Sequence, residues 1–201
     1  MNTPVDIHPG LARSLEKFAG FTDTEIVTFH SFLTVVQLKK KEHLLRPGET
    51  SRCTSYVNKG CMRRYIIDEH AKEIILNFAV EDWWIGDLES FISQKPTVYY
   101  VQALEDSELL SLSHNNFLRL CEELPKYKHF HDEKVQRNHY ATLKRLAIAK
   151  SGTPEEKYLL LEKEMPRLFQ RIPLHYIASY LGIEPESLSR LRKRLSEKTA
   201  K

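Results

Sequence analysis

The chain has 201 residues, of which 41% are hydrophobic and 28% are charged. This composition supports one or two domains with their own cores and excludes an intrinsically disordered protein. No apolar run approaches the ~18 residues that a membrane helix needs, and the first ten residues lack a basic segment followed by an apolar one. We therefore expect a cytoplasmic protein with no membrane partner.

The formal net charge of +3 conceals an uneven distribution of charge along the chain. Residues 1–124 carry 13 Lys and Arg against 18 Asp and Glu, a net charge of −5. Residues 125–201 carry 17 against 9, a net charge of +8. Because clustered positive charge attracts phosphate backbones, the basic C-terminal part is the candidate for binding a polyanion.

The N-terminal part reads as a short helix followed by many short strands. Residues 22–25, TDTE, have the spacing of a capping box, and Ile26, Phe29 and Leu33 follow at helical intervals. From Val35 onward, β-branched and aromatic runs recur about every ten residues between turn signals, which favours an antiparallel roll or sandwich of about 90 residues. The runs are VVQLK, HLL, SYV, CMRRYII, EIILNF, TVYYVQA and ELLSLS.

Helical signals return after this β-rich region. In SHNNFLRLCEELP, Ser113 or Asn115 is a candidate N-cap, and Phe117, Leu118 and Cys121 form a predicted apolar stripe. A longer helix is predicted from Pro125 to about Lys150, because this segment contains no glycine and no further proline. Its candidate seam, with coiled-coil spacing, is Val135, His139, Thr142 or Leu143, Leu146 and Ala149.

The long helix has two interpretations. It is either a lone amphipathic helix lying on the β-domain or a spine that also forms a dimer contact, and its length between two small domains favours the second. Residues 151–154, SGTP, then mark a boundary, because glycine ends one helix and Thr153–Pro154 start another that runs to about Glu164.

The segment after residue 172 contains two short helical patterns separated by a glycine. Gly182 supplies the positive φ that ends the first helix, and Pro185 fits the first turn of the second. Apolar residues line one side of each helix: Leu174, Ile177, Ala178 and Leu181 in the first, and Leu188, Leu191 and Leu195 in the second.

The other side of the second helix presents Glu186, Ser189, Arg190 and Lys193. These side chains suit cytosine N4, thymine edges, guanine and phosphates in a DNA major groove. They are also compatible with an ordinary solvated face, with an acid near the helix N-terminus and bases near its C-terminus.

Residues 172–195, IPLHYIASYLGIEPESLSRLRKRL, resemble the helix-turn-helix of the Crp/Fnr family of bacterial transcription regulators without gaps. The segment order of the whole chain also resembles that family. The resemblance implies an α+β fold with an N-terminal antiparallel β-roll, or jelly roll, related to cyclic nucleotide-binding domains. The β-roll sensor domain spans residues 1–124 and the dimerisation helix residues 125–150. The winged-helix-like DNA-binding domain spans residues 151–201, with a reduced or missing final wing.

The resemblance also implies a non-enzymatic, sequence-specific transcription regulator with no catalytic residues, cofactor or bound metal. Its implied partners are a second copy of the chain, a palindromic double-stranded DNA operator and RNA polymerase. Glu186, Ser189 and Arg190 match the family's Glu-x-x-Ser-Arg pattern and are the expected base contacts in an Fnr-like TTGA half-site. The expected phosphate contacts are Ser187, Arg192 and Lys193.

The effector pocket departs from the family pattern. Cyclic-nucleotide-binding members carry a Gly-Glu pair and, after a loop, an Arg followed by a small polar residue. The matching residues here are Gly86, Asp87 and, at the Arg position, Thr97. Lys95 replaces a guanidinium only partly, as a mobile point charge. We therefore expect a degenerate pocket that does not bind cyclic AMP, and control either without a ligand or by a small-molecule effector whose identity the sequence does not give.

Two alternatives come from other classes of protein. A β-roll module whose degenerate helix-turn-helix binds protein would lack salt-dependent DNA binding. A cupin-like metal enzyme needs a cluster of histidines on the strands, and between Val35 and Ser113 only His43 and His70 occur. His129 and His131 lie two apart and are expected to face different directions on a helix, which argues against a metal site.

Overall fold

A computed structural model describes residues 9–166 and 168–199. Within these ranges, no helix is long and apolar enough to cross a membrane. The helices are α1 Pro9–Ala19, α2 Asp23–Ser31, α3 Leu88–Ser93, α4 His114–Glu123, α5 Pro125–Ser151, α6 Pro154–Glu164, α7 Leu174–Leu181 and α8 Pro185–Thr199. The strands are β1 Leu33–Leu38, β2 His43–Leu45, β3 Cys53–Lys59, β4 Met62–Ile67, β5 Glu73–Ala79, β6 Trp84–Ile85, β7 Tyr100–Ala103 and β8 Ser107–Ser113.

The eight strands form two four-stranded antiparallel sheets. One has the order β1-β8-β3-β6 and the other the order β2-β7-β4-β5. Alternate side chains of both sheets point inward and form a shared apolar core, because successive residues of a strand face opposite sides. The predicted antiparallel β-roll within an α+β fold is confirmed. Its inner core includes Leu45, Val57, Met62, Ile85, Val101 and Leu109.

Helices cover the outer faces of both sheets. On the first sheet, α1, α2, α4 and the start of α5 bury a second core around Tyr56, Leu110 and Leu112. On the second sheet, residues of α6, α7 and α8 form a third core with Tyr65, Ile75 and Phe78. The molecule is therefore layered, and its C-terminal helices rest directly on the second sheet.

Several helix boundaries follow from local sequence signals. Capping boxes form at Thr22, which begins α2, and at Thr153, which begins α6. The Ser113 hydroxyl accepts a hydrogen bond from the Asn116 N–H and so caps α4. The predicted apolar stripe of α4 is confirmed for Phe117 and Cys121 and wrong for Leu118. Leu118 of α4 is 49% exposed, because the helix turns Phe117 and Leu120 toward the core instead.

Helix α5 runs from Pro125 to Ser151 and confirms the predicted long helix. Tyr127 and Phe130 are buried in its first turns against the β-roll helices. Farther along, the apolar side chains Tyr140, Leu143 and Leu146 are 70%, 49% and 50% exposed. The end of α5 therefore presents an apolar surface to solvent, so it does not lie on the β-domain along its whole length. Of the candidate seam, the Ala149 side chain lies outside the described residues.

Candidate nucleic-acid interface and effector pocket

The turn between α7 and α8 has the geometry that its glycine predicts. Gly182 has φ +66° and closes α7, because its N–H bonds the carbonyl of Ser179 at 3.2 Å. The Ile183 N–H bonds the carbonyl of Ala178 at 3.1 Å, which completes the cap. A residue with a Cβ is strained in this left-handed conformation. The turn therefore fixes the angle at which α8 leaves α7.

Helix α8 has one buried side and one exposed side, as the sequence predicts. Leu188 and Leu191 are buried, and Leu195 packs at the edge of the same core. On the opposite side, four polar side chains are exposed together in a row that we call the α8 stripe: Glu186, Ser189, Arg190 and Lys193. The placement and exposure of this row are confirmed, while its contacts with DNA stay a prediction.

The predicted phosphate-binding residues have different surroundings. Lys193 is exposed, and Ser187 is half-buried and accepts a 3.4 Å hydrogen bond from Arg190. Arg192 is half-buried beside the α8 stripe and interacts with the Tyr158 hydroxyl of α6. A guanidinium has five N–H donors, so this contact leaves others that can bind a phosphate.

The side chain of Ser179 joins helix α7 to strand β5 by hydrogen bonds to the backbone at the edge of the sheet. The Ser179 hydroxyl donates to the carbonyl oxygen of Glu73 at 2.9 Å and accepts from the N–H of Ile75 at 3.3 Å. The rings of Phe78 and Tyr180 pack beside it, with centroids 5.4 Å apart. A single serine therefore occupies one donor and one acceptor of an edge strand.

Arg63 of β4 is a second contact between the β-roll and α7. Its guanidinium bonds both carboxylate oxygens of Glu73, at 2.5 and 3.0 Å, and its side chain is only 3% exposed. It lies between the rings of Tyr65 and Tyr176, 4.1 and 4.3 Å from their centroids. The buried charge is thus paired with a carboxylate and held between two π-faces.

Arg171, just before α7, forms the third contact. It bonds both oxygens of Glu81, at 2.7 and 3.0 Å, and also the carboxylate of Glu105. Burial raises the pKa of Glu81, but hydrogen bonds from Arg171 and from the Gly60 N–H outweigh it, so the pKa lies below its usual value. Together with the Ser179 and Arg63 contacts, Arg171 joins the α7–α8 unit to the β-roll.

The predicted pocket residues Gly86, Asp87 and Thr97 lie together around the start of α3. Gly86 has φ +147°, a backbone conformation that favours glycine. One Asp87 oxygen accepts from the Thr97 hydroxyl at 2.6 Å, and the other accepts from the Glu89 N–H at 3.1 Å. Both Asp87 and Thr97 are buried, so the carboxylate is already engaged within the protein.

A cleft of about 530 Å³ also has Gly86 in its wall. The rest of its lining comes mainly from β2, β3 and the turn between them, including Glu49, Ser51, Arg52 and Cys53. Asp87 and Thr97 do not line this cleft. The opening into the roll therefore lies next to the pocket residues and shares one glycine with them.

The sequence reasoning missed Arg64 as a residue of this region. Arg64 lies on β4, and its guanidinium donates to the Gly86 carbonyl oxygen at 3.1 Å and lies 5.0 Å from the centroid of the Tyr99 ring. The available signal was two adjacent arginines inside an otherwise apolar strand. Because successive residues face opposite sides, Arg63 turns toward α7, whereas Arg64 turns toward the roll.

His129 and His131, two residues apart on α5, have different surroundings. The side chains of His129 and His131 are 79% and 17% exposed, and His131 packs on the ring of Phe117. Their different surroundings confirm that the two face different directions on α5. In the part of the chain that the structure describes, no group of three or more His, Cys, Asp or Glu is placed to hold a metal ion.

Part of the chain is similar in sequence to known proteins. Residues 35–124 match the sequence model of the family described as the cyclic nucleotide-binding domain. A curated relative from Salmonella typhimurium, the cAMP-activated global transcriptional regulator CRP, is 28% identical over 104 residues, which are 52% of this chain and 50% of the relative. The chain is thus similar to CRP-type transcription regulators, and its residues 35–124 carry the match to the cyclic nucleotide-binding domain. The match spans about half the length of the curated relatives.

Solved structures of Crp/Fnr-type proteins have the same fold over most of the chain. The Thermus thermophilus catabolite activator protein gives a TM-score of 0.59 at 20% identity, covering 90% of this chain and 87% of that chain. FixK2 from Bradyrhizobium japonicum gives a TM-score of 0.71 at 15% identity, covering 83% and 86%. At these identities the likeness is one of fold.

Proposed function

We propose that this protein is a sequence-specific DNA-binding transcription regulator that binds a palindromic operator as a homodimer. The α8 stripe carries this proposal, because it presents an acid, a hydroxyl and two cations on a helix whose other side is buried. The α7–α8 turn and the three contacts with the β-roll support it, since a reading helix must be held rigidly.

The residues of the α8 stripe suit an Fnr-like TTGA half-site. Arg190 is proposed to donate to guanine O6 and N7, Glu186 to accept from cytosine N4, and Ser189 to meet a thymine edge. Lys193, Ser187 and Arg192 are proposed to contact phosphates. The net charge of +8 over residues 125–201 supports this assignment, because phosphate contacts supply the salt-dependent part of binding.

The exposed end of α5 is the proposed dimer contact. Leu143 and Leu146, with Tyr140 beside them, form an apolar surface on a helix of 27 residues. A second copy of the same helix is a fitting partner, because paired recognition helices must sit about 34 Å apart to read two half-sites. RNA polymerase is a further proposed protein partner.

We propose that cyclic AMP does not control this protein. Thr97 offers a hydroxyl where a guanidinium would bind the cyclic phosphate, and that hydroxyl donates to Asp87. A cyclic nucleotide would therefore have to break an internal hydrogen bond without gaining a bidentate partner from Thr97.

Selection from random duplexes, followed by titration of the selected site at several salt concentrations, tests the DNA-binding proposal. We expect a palindromic site and affinity that falls steeply with salt. Absence of salt-dependent duplex binding would reject the proposal and favour a module whose helix-turn-helix contacts protein.

A further inference from the structure

We propose that His43 makes the docking of α7 on the second sheet sensitive to pH, because protonation of its imidazole adds a poorly compensated charge beside that contact. The proposal goes beyond DNA binding, and its test reads the docking rather than the DNA. His43 lies on β2, at the opposite edge of the sheet from β5, so it acts on α7 through the side chains between them.

A continuous set of contacts joins His43 to α7. A hydrogen bond of 3.0 Å joins the His43 Nε2 and the Tyr65 hydroxyl. Tyr65 is buried, and the Arg63 guanidinium lies 4.1 Å from the centroid of its ring. The same guanidinium lies 4.3 Å from the centroid of the Tyr176 ring, which belongs to α7. Glu73 completes the set, because its carboxylate bonds Arg63 and its carbonyl oxygen accepts a hydroxyl hydrogen bond from α7.

The surroundings of the His43 ring suit its neutral form. A neutral imidazole has one N–H donor and one acceptor, and the Tyr65 hydroxyl can pair with either. The Nδ1 atom is buried and has no hydrogen-bond partner among the described residues. Protonation makes both ring nitrogens donors, so Nδ1 then carries a buried N–H without an acceptor. Such a donor destabilises the state in which it is buried.

The charges around His43 also oppose its protonation. The titratable and charged groups of the neighbouring elements are Arg46 and Glu49 of the turn after β2, Arg63 and Tyr65 of β4, Glu73 of β5, Tyr100 of β7 and, across Arg63, Tyr176 of α7. Both acids already accept hydrogen bonds, because Glu73 bonds Arg63 and Glu49 accepts from the Arg46 N–H at 2.7 Å. Burial, together with the two cations, lowers the pKa of His43 from its usual value.

The sign of the effect follows from this lowered pKa. A group of this kind stabilises the docked state above its usual pKa, which is 6.5 for histidine, and this stabilisation is lost as the pH falls toward the lowered value. At about pH 5.5, a His43 that has its usual pKa is about ten parts protonated to one part neutral. Docking of α7 should therefore weaken by up to about tenfold between about pH 7.5 and about pH 5.5.

Hydrogen–deuterium exchange of the full-length chain at these two pH values reads the docking. Protection factors, which correct for the intrinsic pH dependence of exchange, are compared for the backbone amides of α7 and β5. The Ile75 N–H is informative, because it donates to the Ser179 hydroxyl. The pKa of Glu81 is lowered from 4.5, so the ion pair of Glu81 with Arg171 persists at both pH values.

His43→Gln is the test variant, because glutamine can still form a hydrogen bond with Tyr65 but does not take up a proton. His70→Gln, which replaces an exposed histidine of the β4–β5 turn, is the matched control. Burial also lowers the pKa of His30 and of His131. Both residues are present in all three proteins, so their effect on stability cancels in the comparison.

We expect the parent chain to lose protection in α7 and β5 by about threefold to tenfold at the lower pH. His70→Gln should lose as much, and His43→Gln less than about twofold. Unchanged protection of α7 in the parent chain would overturn the proposal, and so would an equal loss in His43→Gln.

A second measurement needs no variant and so does not depend on the folding of His43→Gln. Titration of the His43 ring in the parent chain, followed by NMR, should give a pKa below 6.5. A pKa of 6.5 or above would overturn the proposal, because the docked state would then not favour the neutral ring.

Discussion

Arg63 and Arg64 show how much the surroundings of a residue decide its role. They are adjacent on β4, yet Arg63 is paired with Glu73 between two aromatic rings, while Arg64 contacts a carbonyl and one ring among the described residues. Strand alternation accounts for their opposite directions. Their partners lie 10 and 22 residues away in sequence, so local patterns did not reveal either contact.

The α8 stripe gives the first prediction at this scale. Arg190→Ala should cost about 1–3 kcal/mol per half-site and relax specificity at one base pair, because it removes a bidentate base contact. Competition binding with single-base variants of the selected site measures both effects. Arg119→Ala, which removes an exposed arginine from α4, should leave affinity and specificity unchanged.

Lys193→Ala should behave differently from Arg190→Ala. Loss of a phosphate contact weakens all sequences alike and flattens the slope of log affinity against log salt by about one unit. Lys59→Ala, an exposed lysine of β3, is the control for loss of one charge. If Lys193→Ala changed base preference instead, the division of the α8 stripe into base and phosphate contacts would be incorrect.

Thr97 gives a prediction about the effector pocket. Calorimetry should detect no micromolar binding of cyclic AMP, and DNA affinity should be the same with and without it. The physical reason is that Thr97 donates to Asp87 and provides no guanidinium. Micromolar binding in the calorimeter would contradict this prediction.

At the scale of elements, the sequence predicted helices best where it carried a cap. The capping boxes at Thr22 and Thr153 and the glycine at 182 each correspond to an observed boundary. Two helices were missed. Helix α1 begins with Pro9–Gly10, a dipeptide typical of turns, and α3 has only six residues between pocket and loop. Their formation depends on tertiary packing, such as that of the buried Leu11 and Phe91.

Helix α5 gives the prediction for oligomeric state. Leu143→Asp and Leu146→Asp together should convert a dimer into a monomer at micromolar concentration, because two charges would be placed in an apolar contact. Light scattering during size-exclusion chromatography measures the mass. Leu159→Asp is the matched control, since Leu159 is a similarly exposed leucine on α6. A parent chain that is already monomeric would reject the proposed dimer.

At the scale of the whole molecule, the contact between the α7–α8 unit and the second sheet sets where the C-terminal helices lie on the β-roll. Helical periodicity predicted two short helices after residue 172, and the family resemblance implied their helix-turn-helix arrangement, but neither predicted the surface on which they rest. The contacts join residues 66 to 113 apart, such as Arg171 with Glu105 and Arg63 with Tyr176. No local rule connects such distant positions, because their proximity follows from the complete fold. The DNA-contact residues could be proposed from helical spacing and family resemblance, whereas the residues that orient them could not.

Arg171 makes this contact dependent on pH. Glu81 has a lowered pKa in the folded chain, so its stabilising effect is present above the ordinary value of 4.5 and is lost as the pH falls through the folded value. Arg171→Gln should lower the free energy of unfolding at pH 7 by about 1.5–3 kcal/mol. It should also reduce the loss of stability on acidification below pH 4.5. Urea unfolding at several pH values measures both.

The matched control for Arg171→Gln is Lys39→Gln, which breaks the exposed pair with Asp106. It should change stability by less than about 1 kcal/mol, because solvent screens exposed pairs. If Arg171→Gln kept the full acid dependence of the parent, the contact of Arg171 with Glu81 would not be its source.

The hydroxyl of Ser179 has a consequence for self-assembly. Strand β5 ends its sheet, and an uncovered strand edge offers N–H and C=O groups on which other chains can build. Helix α7 takes up two of these groups and also covers Tyr65, Ile75 and Phe78. We therefore expect the unit proposed to read DNA to shield this strand edge from pairing with other chains. A chain cut after Ser151 would lose this shielding and is expected to aggregate through its bare strand edge.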